Sequence, residues 1–270
     1  MRKTIVMALA LVPLLSRAQD MVCSITVKLA SSMAPARAYL VKDLGMNVQE
    51  TLDSAGVKNG NFILKAKVTG QPMKADIVLD HAGLGLSRLG RRADMLTVFL
   101  EKGRLMVSGK DSVKYAVVTG SRLNTEYVRY HADVLSIGEK TFDEMDAAYR
   151  TAPADKQNDQ TFRDSMMTRV RRVLAERDSL KRVYIRQNPD SYLSLLALEE
   201  VAGEDIDPGK IGALFDGLSG RVRSTREGAA FEKRIHVVTA TSIGAMAPDF
   251  VQNDVDGKPV KLSDFRGKYV

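Results

Sequence analysis

Asn59-Gly60-Asn61-Phe62-Ile63-Leu64-Lys65-Ala66-Lys67-Val68-Thr69 decides the fold of the first part of the chain. Phe62, Leu64, Ala66 and Val68 alternate with Ile63, Lys65, Lys67 and Thr69. That two-residue period belongs to a strand with one face buried and the other in water. Asn59 and Gly60 tolerate positive φ, so the pair marks a hairpin turn leading into the strand. Downstream, Leu96-Thr97-Val98-Phe99-Leu100, a Glu101-Lys102-Gly103-Arg104 turn and Leu105-Met106-Val107 read as a second hairpin. Val113, Tyr115 and Val117 alternate again before Gly120. About seven or eight short strands from near Ser24 to Thr119, at roughly 8–12-residue spacing, predict an all-β sandwich over residues 19–120.

The period then changes. Met166, Val170, Val173, Arg177, Leu180 and Tyr184 mark one face of a long helix, with Arg177 as its polar interruption. Asn188-Pro189 ends that helix, because the residue before proline disfavours the helical region. Asp190 or Ser191 caps the next, which runs through Leu193, Leu196 and Leu198 to a Gly203 stop. Asp207-Pro208 is an N-cap with proline at the first helical position. Ser224-Thr225-Arg226-Glu227 matches a capping box and opens a last helix through Phe231 and Ile235. Residues 121–241 are therefore expected to be helical. Residues 242–270 change once more. Ala247-Pro248-Asp249-Phe250 breaks the helix, Asn253-Asp254-Val255-Asp256-Gly257-Lys258 has turn composition, Val260 and Leu262 form a short strand, and Tyr269-Val270 begins another.

The N-terminus reads as an address. Arg2 and Lys3 precede an apolar run from Thr4 to Leu15, and Ser16-Arg17-Ala18 is a small-x-small cleavage site. The run is about 12 residues, short of the roughly 20 needed to span a bilayer as a helix. Residues 1–18 are thus expected to be a signal peptide cleaved near Ala18-Gln19, giving a periplasmic or cell-envelope protein with no integral membrane span. Cys23 lies close by, but Asp20 and Val22 do not suit a lipidation site, and Cys23 reads as a small apolar residue opening the first strand.

The 270-residue chain has one cysteine, no tryptophan and a net charge of +7. Losing Arg2, Lys3 and Arg17 lowers that to +4, weak grounds for nucleic-acid binding. One cysteine excludes a disulfide framework and a Cys-x-x-Cys pair within the chain. His81, His131 and His236 are too dispersed to suggest a metal site. Gly83-Leu84-Gly85-Leu86-Ser87-Arg88 only brushes against a dinucleotide loop, because the third glycine falls at Gly90. Arg88, Arg91 and Arg92 beside it read as a solvated loop. The arginines and Lys181 from Arg163 to Arg186 are interspersed with Asp164, Glu176 and Asp178 and have no aromatic ladder for base stacking, so they read as a charged outer face. Asp80-His81 and Glu199, Glu200, Glu204 and Asp205 are acid/base candidates by type alone. No catalytic residue, cofactor-binding residue, metal ligand or cofactor is assigned.

Gly244-x-x-Ala247-Pro248-Asp249-Phe250, Asp256-Gly257-Lys258 and Leu262-Ser263-Asp264-Phe265-Arg266-Gly267-Lys268-Tyr269-Val270 resemble the opening of a thioredoxin-like domain of the redoxin, AhpC/TSA and TlpA-like group. Residues 19–120, through Val98-x-Leu100-Glu101-x-Gly103 with Val107 and Val118-Thr119-Gly120-Ser121-x-x-Asn124, resemble the all-β module of unknown function often found ahead of such domains in exported thiol-disulfide oxidoreductases. Asn188-Pro189-Asp190-Ser191-Tyr192 in the helical region also fits. The resemblance implies an α+β chain: an all-β sandwich, a helical linker region and the first β-hairpin of an incomplete thioredoxin-like domain. It implies thiol–disulfide exchange with protein disulfides as substrates, by a low-pKa thiolate and a resolving thiol. Those cysteines fall beyond Val270 in the family pattern, and Cys23 matches neither. The expectation is a non-catalytic N-terminal part of a longer enzyme, a scaffold, dimerisation or client-presenting module. The alternatives are a complete exported binding module and the N-terminal part of a thiol peroxidase. An isolated hairpin is marginal in water, so residues 242–270 are expected to dock loosely.

Overall fold

The computed structural model describes residues 21–31, 36–45, 48–89, 93–242, 244–246 and 248–268. The expected signal peptide, with its Ala18-Gln19 cleavage point, lies outside the described residues, as do Gly90, Arg91, Arg92, Ala247, Tyr269 and Val270. The chain divides into two compact units, Met1–Ser121 and Arg122–Val270.

The first unit carries β1 (Val22–Leu29), β2 (Arg37–Asp43), β3 (Gln49–Gly56), β4 (Asn61–Lys67), β5 (Met73–Asp80), β6 (Asp94–Leu100), β7 (Gly103–Gly109) and β8 (Val117–Thr119). They form two four-stranded sheets, β4-β1-β7-β8 and β3-β2-β5-β6. All neighbours are antiparallel except β1 and β7, which run parallel. The alternation read at Phe62 holds: Phe62, Leu64 and Ala66 are buried while Ile63, Lys65 and Lys67 face out. Cys23, Ile25 and Val27 of β1, Ala38 and Leu40 of β2, Ile77 and Leu79 of β5, Val98 and Leu100 of β6 and Val107 of β7 share one core between the sheets. Each such Leu, Ile or Val contributes roughly 1.5–3 kcal/mol by leaving water.

Of two turn readings, the Asn59-Gly60 turn forms as expected and the Glu101–Arg104 hairpin is corrected. Asn59 (φ 49) and Gly60 (φ 73) take the expected positive φ, closed by a Lys58–Asn61 bridge. Beyond that bridge the strands part, β3 pairing with β2 and β4 with β1. Gly60 sits so close to β1 that a Cβ there would lie 2.1 Å from the Leu29 carbonyl oxygen, while its own carbonyl accepts the Leu29 N–H. The Glu101-Lys102 turn does not close a hairpin at all. β6 pairs with β5, and β7 pairs with β1 and β8, so the chain crosses there from one sheet to the other. Strand periodicity cannot distinguish a hairpin from a crossing, because both present the same inward face.

Another correction concerns Val113 and Tyr115. They lie in a turn closed by Ala116 N–H to Val113 C=O, and only Val117–Thr119 is strand. The Asp94 carboxylate takes the backbone N–H groups of Val113 and Lys114 that a ladder would have used.

The second unit begins with α1 (Arg122–Tyr130), a π-helical turn (His131–Leu135), α2 (Glu139–Thr151), α3 (Ala154–Asn158) and α4 (Gln160–Gln187). α5 (Tyr192–Ala202), α6 (Pro208–Asp216), α7 (Gly220–Arg223) and α8 (Arg226–Thr241) follow. Asp159 caps α4, Ser191 caps α5 through Leu193 N–H, and Asp207 caps α6 through Gly209 and Lys210. Gly203 follows α5 at φ 60, as a stop residue should. The expected capping box does not form, and the N-cap moves by one residue. Thr225, not Ser224, accepts the Gly228 N–H, which puts Glu227 one position short of the box. Gly228 is tight there: a Cβ would meet the Arg223 carbonyl oxygen at 2.5 Å. β9 (Val251–Asn253) and β10 (Pro259–Lys261) pair antiparallel, and Leu262 opens a 3-10 turn instead of extending the strand.

Candidate functional site

Cys23 is fully buried in β1, opposite Ala66 and Gly103. Burial pushes its thiol above the usual range, and a backbone hydrogen bond with Glu101 only partly offsets that. A buried, protonated thiol is neither nucleophile nor metal ligand.

Asp80 and His81 diverge. Asp80 is buried at the end of β5, and its carboxylate accepts the N–H groups of Ala82 at 3.2 Å and Gly85 at 2.8 Å. Burial opposes the charge, but the N–H groups of Gly85, Leu84, Ala82 and Gly83 outweigh it and hold the carboxyl below its ordinary range. The glycine-rich loop therefore turns these donors onto its own aspartate. His81 turns outward and meets Asp94 at 2.8 Å. The other Asp94 oxygen accepts the Ser112 hydroxyl at 2.7 Å. The carboxylate lies between serine and histidine, the wrong order for a catalytic triad, in which histidine must touch serine.

The helical unit gathers aromatic groups that composition alone did not reveal. Tyr130 and Tyr184 rings lie 4.6 Å apart, and Tyr127 stands 6.1 Å from His131. The Tyr184 hydroxyl donates to Glu126 at 2.7 Å and sits 3.4 Å from Ser191. Burial raises both Tyr130 and Tyr184 well above the normal tyrosine range, so they stay neutral. The buried Tyr130 hydroxyl has no partner among the described residues. Beside this cluster α1 and α4 enclose a cleft of about 760 Å³, walled by Arg122, Glu126 and Arg129 on one side and Leu180, Tyr184 and Gln187 on the other. Neutral phenols and a hydrogen-bonded carboxylate can bind and orient a polar group. The signal was present in Tyr127, Tyr130 and His131 at i, i+3 and i+4, one helix face.

The carboxylate candidates scatter. Glu200 pairs with Lys181 at 2.8 Å. Glu199 is half-buried; burial first and the Glu227 charge second raise its carboxyl, against the pull of Arg234. Glu204 and Asp205 are exposed after α5, and His131 stands 3.4 Å from Glu139. Arg88 ends an exposed turn, and Arg163, Arg169, Arg171, Arg172 and Arg186 line exposed positions of α4, as an outer face should. No group of three or more His, Cys, Asp or Glu among the described residues is placed to hold a metal.

The last segment is locked by its own motif. Asp249 accepts both the Ser263 N–H and the Ser263 hydroxyl at 2.9 Å, and Leu262 N–H reaches Phe250 C=O. The Ser263 N–H and hydroxyl hold the Asp249 carboxyl below its ordinary range. Asp254 accepts the N–H groups of Asp256 and Lys258 and so shapes the turn. Phe250, Val251 and Val255 remain exposed.

Residues 23–127 match a family model described as a domain of unknown function, DUF4369. That stretch takes in the eight strands from Cys23 and α1 as far as Tyr127. No curated protein and no solved structure matches the chain. Among the described residues no helix is long and apolar enough to cross a membrane.

Proposed function

We propose that this chain is the non-catalytic N-terminal part of an exported envelope thiol-disulfide oxidoreductase, in which the sandwich and the helices serve as scaffold, dimerisation or client-presenting module for a thioredoxin-like redox domain. The observation that carries the reading is the Asp249–Ser263 clasp. It joins the two motif elements, Pro248-Asp249-Phe250 and Leu262-Ser263-Asp264-Phe265, that resemble the start of such a domain. Exposed Phe250, Val251 and Val255 suit a hairpin whose apolar side belongs in a larger sheet. The burial of Cys23 agrees with placing the redox cysteines elsewhere, and the match of residues 23–127 to a domain of unknown function agrees with the resemblance to an all-β module of that kind.

The test is insulin-disulfide reduction by this chain, with and without Cys23→Ser. No turnover is expected. Turnover that survives Cys23→Ser would place catalysis within these residues and end the reading. A second reading, an exported binding module, draws on the cleft between α1 and α4. Reading the coding sequence past codon 270 separates the two: Trp-Cys-x-x-Cys supports the redox enzyme, and a stop codon supports the binding module. A single peroxidatic cysteine there would indicate a thiol peroxidase instead.

A further inference from the structure

The outer face of the β4-β1-β7-β8 sheet takes no part in the core, and the strand register fixes what it presents. Lys65, Ser24 and Arg104 form one cross-strand row. Ile63, Thr26, Met106 and Thr119 form the next, and Asn61, Lys28, Ser108 and Val117 the third. Val22 and Lys67 pair at the margin. Lys28, Lys65, Lys67 and Arg104 are exposed, and none of these outward positions carries a carboxylate. Between the cations lie open apolar side chains: Ile63 is 54% exposed, Met106 45% and Val117 61%.

We propose that this face docks the protein on the surface of an anionic lipid bilayer, with Lys28, Lys65 and Arg104 on the headgroups and Ile63, Met106 and Val117 at the acyl boundary. The positions on this face carry one sign of charge, with the Asp53 carboxylate at the β4 edge taken up by the Lys65 backbone N–H at 2.7 Å, and such a face calls for an anionic partner. A second copy is excluded, because two such faces repel. Lysine is depleted at the centre of protein–protein interfaces, where its long stem must be frozen and its ammonium desolvated. At a bilayer the same stem lies along the apolar boundary while the ammonium stays with phosphate and water. A nucleic acid would want rings to stack on, and the rows carry none. The contact is peripheral and involves no spanning helix.

The test uses the full chain, cosedimented with vesicles of phosphatidylcholine alone and with vesicles containing phosphatidylglycerol. The chain has no tryptophan, so M106W places a single reporter on the face. The expected result is binding to the phosphatidylglycerol vesicles only, weakened by salt, with a blue-shifted M106W emission. The variant K28E/K65E/R104E should weaken binding on the order of a hundredfold. The control R172E/R186E/K233E changes the net charge equally at exposed helical positions and should leave most of the binding intact. No binding to phosphatidylglycerol vesicles overturns the proposal. So does equal loss in the two charge variants, which would mean attraction by net charge alone. Binding to phosphatidylcholine that survives K28E/K65E/R104E assigns the contact to another segment and overturns it too. Tight binding to heparin or DNA with none to vesicles would identify a polyanion partner instead.

Discussion

Arg177 donates from Nε to the Ile137 carbonyl oxygen at 2.7 Å, and its Nη2 donates to the Leu135 carbonyl. The group also lies 5.1 Å from the centre of the Phe142 ring. The one polar residue on the apolar stripe of α4 thus satisfies the carbonyl end of the π-helical turn. Two carbonyls and a ring suit a planar fork better than a point charge. Arg177→Ala should destabilise the helical unit by about 2 kcal/mol, and Arg177→Lys should recover less than half of that. Urea unfolding followed by circular dichroism reads both. Full recovery by lysine would show that charge alone mattered.

Asp94 holds the turn at residues 112–114 to the start of β6, with Ser112, Val113, Lys114 and His81 all on one carboxylate. Its side chain is only 11% exposed, whereas His81 is 43% exposed. Asp94→Ala should cost about 3 kcal/mol, because several charge-assisted bonds to a shielded carboxylate are lost together. His81→Ala should cost about 0.5 kcal/mol or less, as exposed ion pairs do. Equal costs in denaturant titrations would mean that the histidine pair, not the loop amides, holds the turn.

Cys23 should not react with an aromatic disulfide reagent in the native protein. Modification should appear only as urea opens the sandwich. Cys23→Ala should cost about 1 kcal/mol and Cys23→Ser more, because a hydroxyl in this core, with only the Glu101 backbone beside it, costs about 1–3 kcal/mol. Rapid labelling without denaturant would contradict the burial of the thiol.

The parts of the fold that were legible in the sequence are those set by local chemistry. Strand alternation at Phe62 through Val68, the proline stop after Asn188 and the Asp207 cap each depend on neighbours within a few residues, and each holds. Pairing partners do not depend on neighbours. Leu105 follows Leu100 closely, yet the two belong to different sheets. The N-cap moved one residue and the capping box was lost, because Thr225 accepts the N–H of Gly228, a glycine held tight beneath Arg223. The cleft residues escaped because Glu126 and Tyr184 are fifty-eight positions apart and meet only when α1 packs on α4. That the glycine loop turns its N–H groups onto Asp80 was not legible either, because the contact is visible only in three dimensions.

Asp80 and Glu199 should give the two units opposite pH responses. The Asp80 carboxyl is lowered from its ordinary 3.8 in the folded state. Its stabilisation is therefore present above pH 3.8 and lost as pH falls through the lower folded value. The Glu199 carboxyl is raised from its ordinary 4.5. Its contribution is full below pH 4.5 and lost as pH rises through the higher folded value, where the Glu227 charge beside it is left unrelieved. Asp80→Asn should blunt the acid-side loss of protection in β5, and Glu199→Gln should raise protection in α5 at neutral pH. Amide exchange across pH 3–7, read separately for 73–89 and 192–202, checks both signs. A loss of α5 protection in Glu199→Gln at pH 7 would mean that the ionised carboxylate is held by Arg234 more strongly than Glu227 repels it.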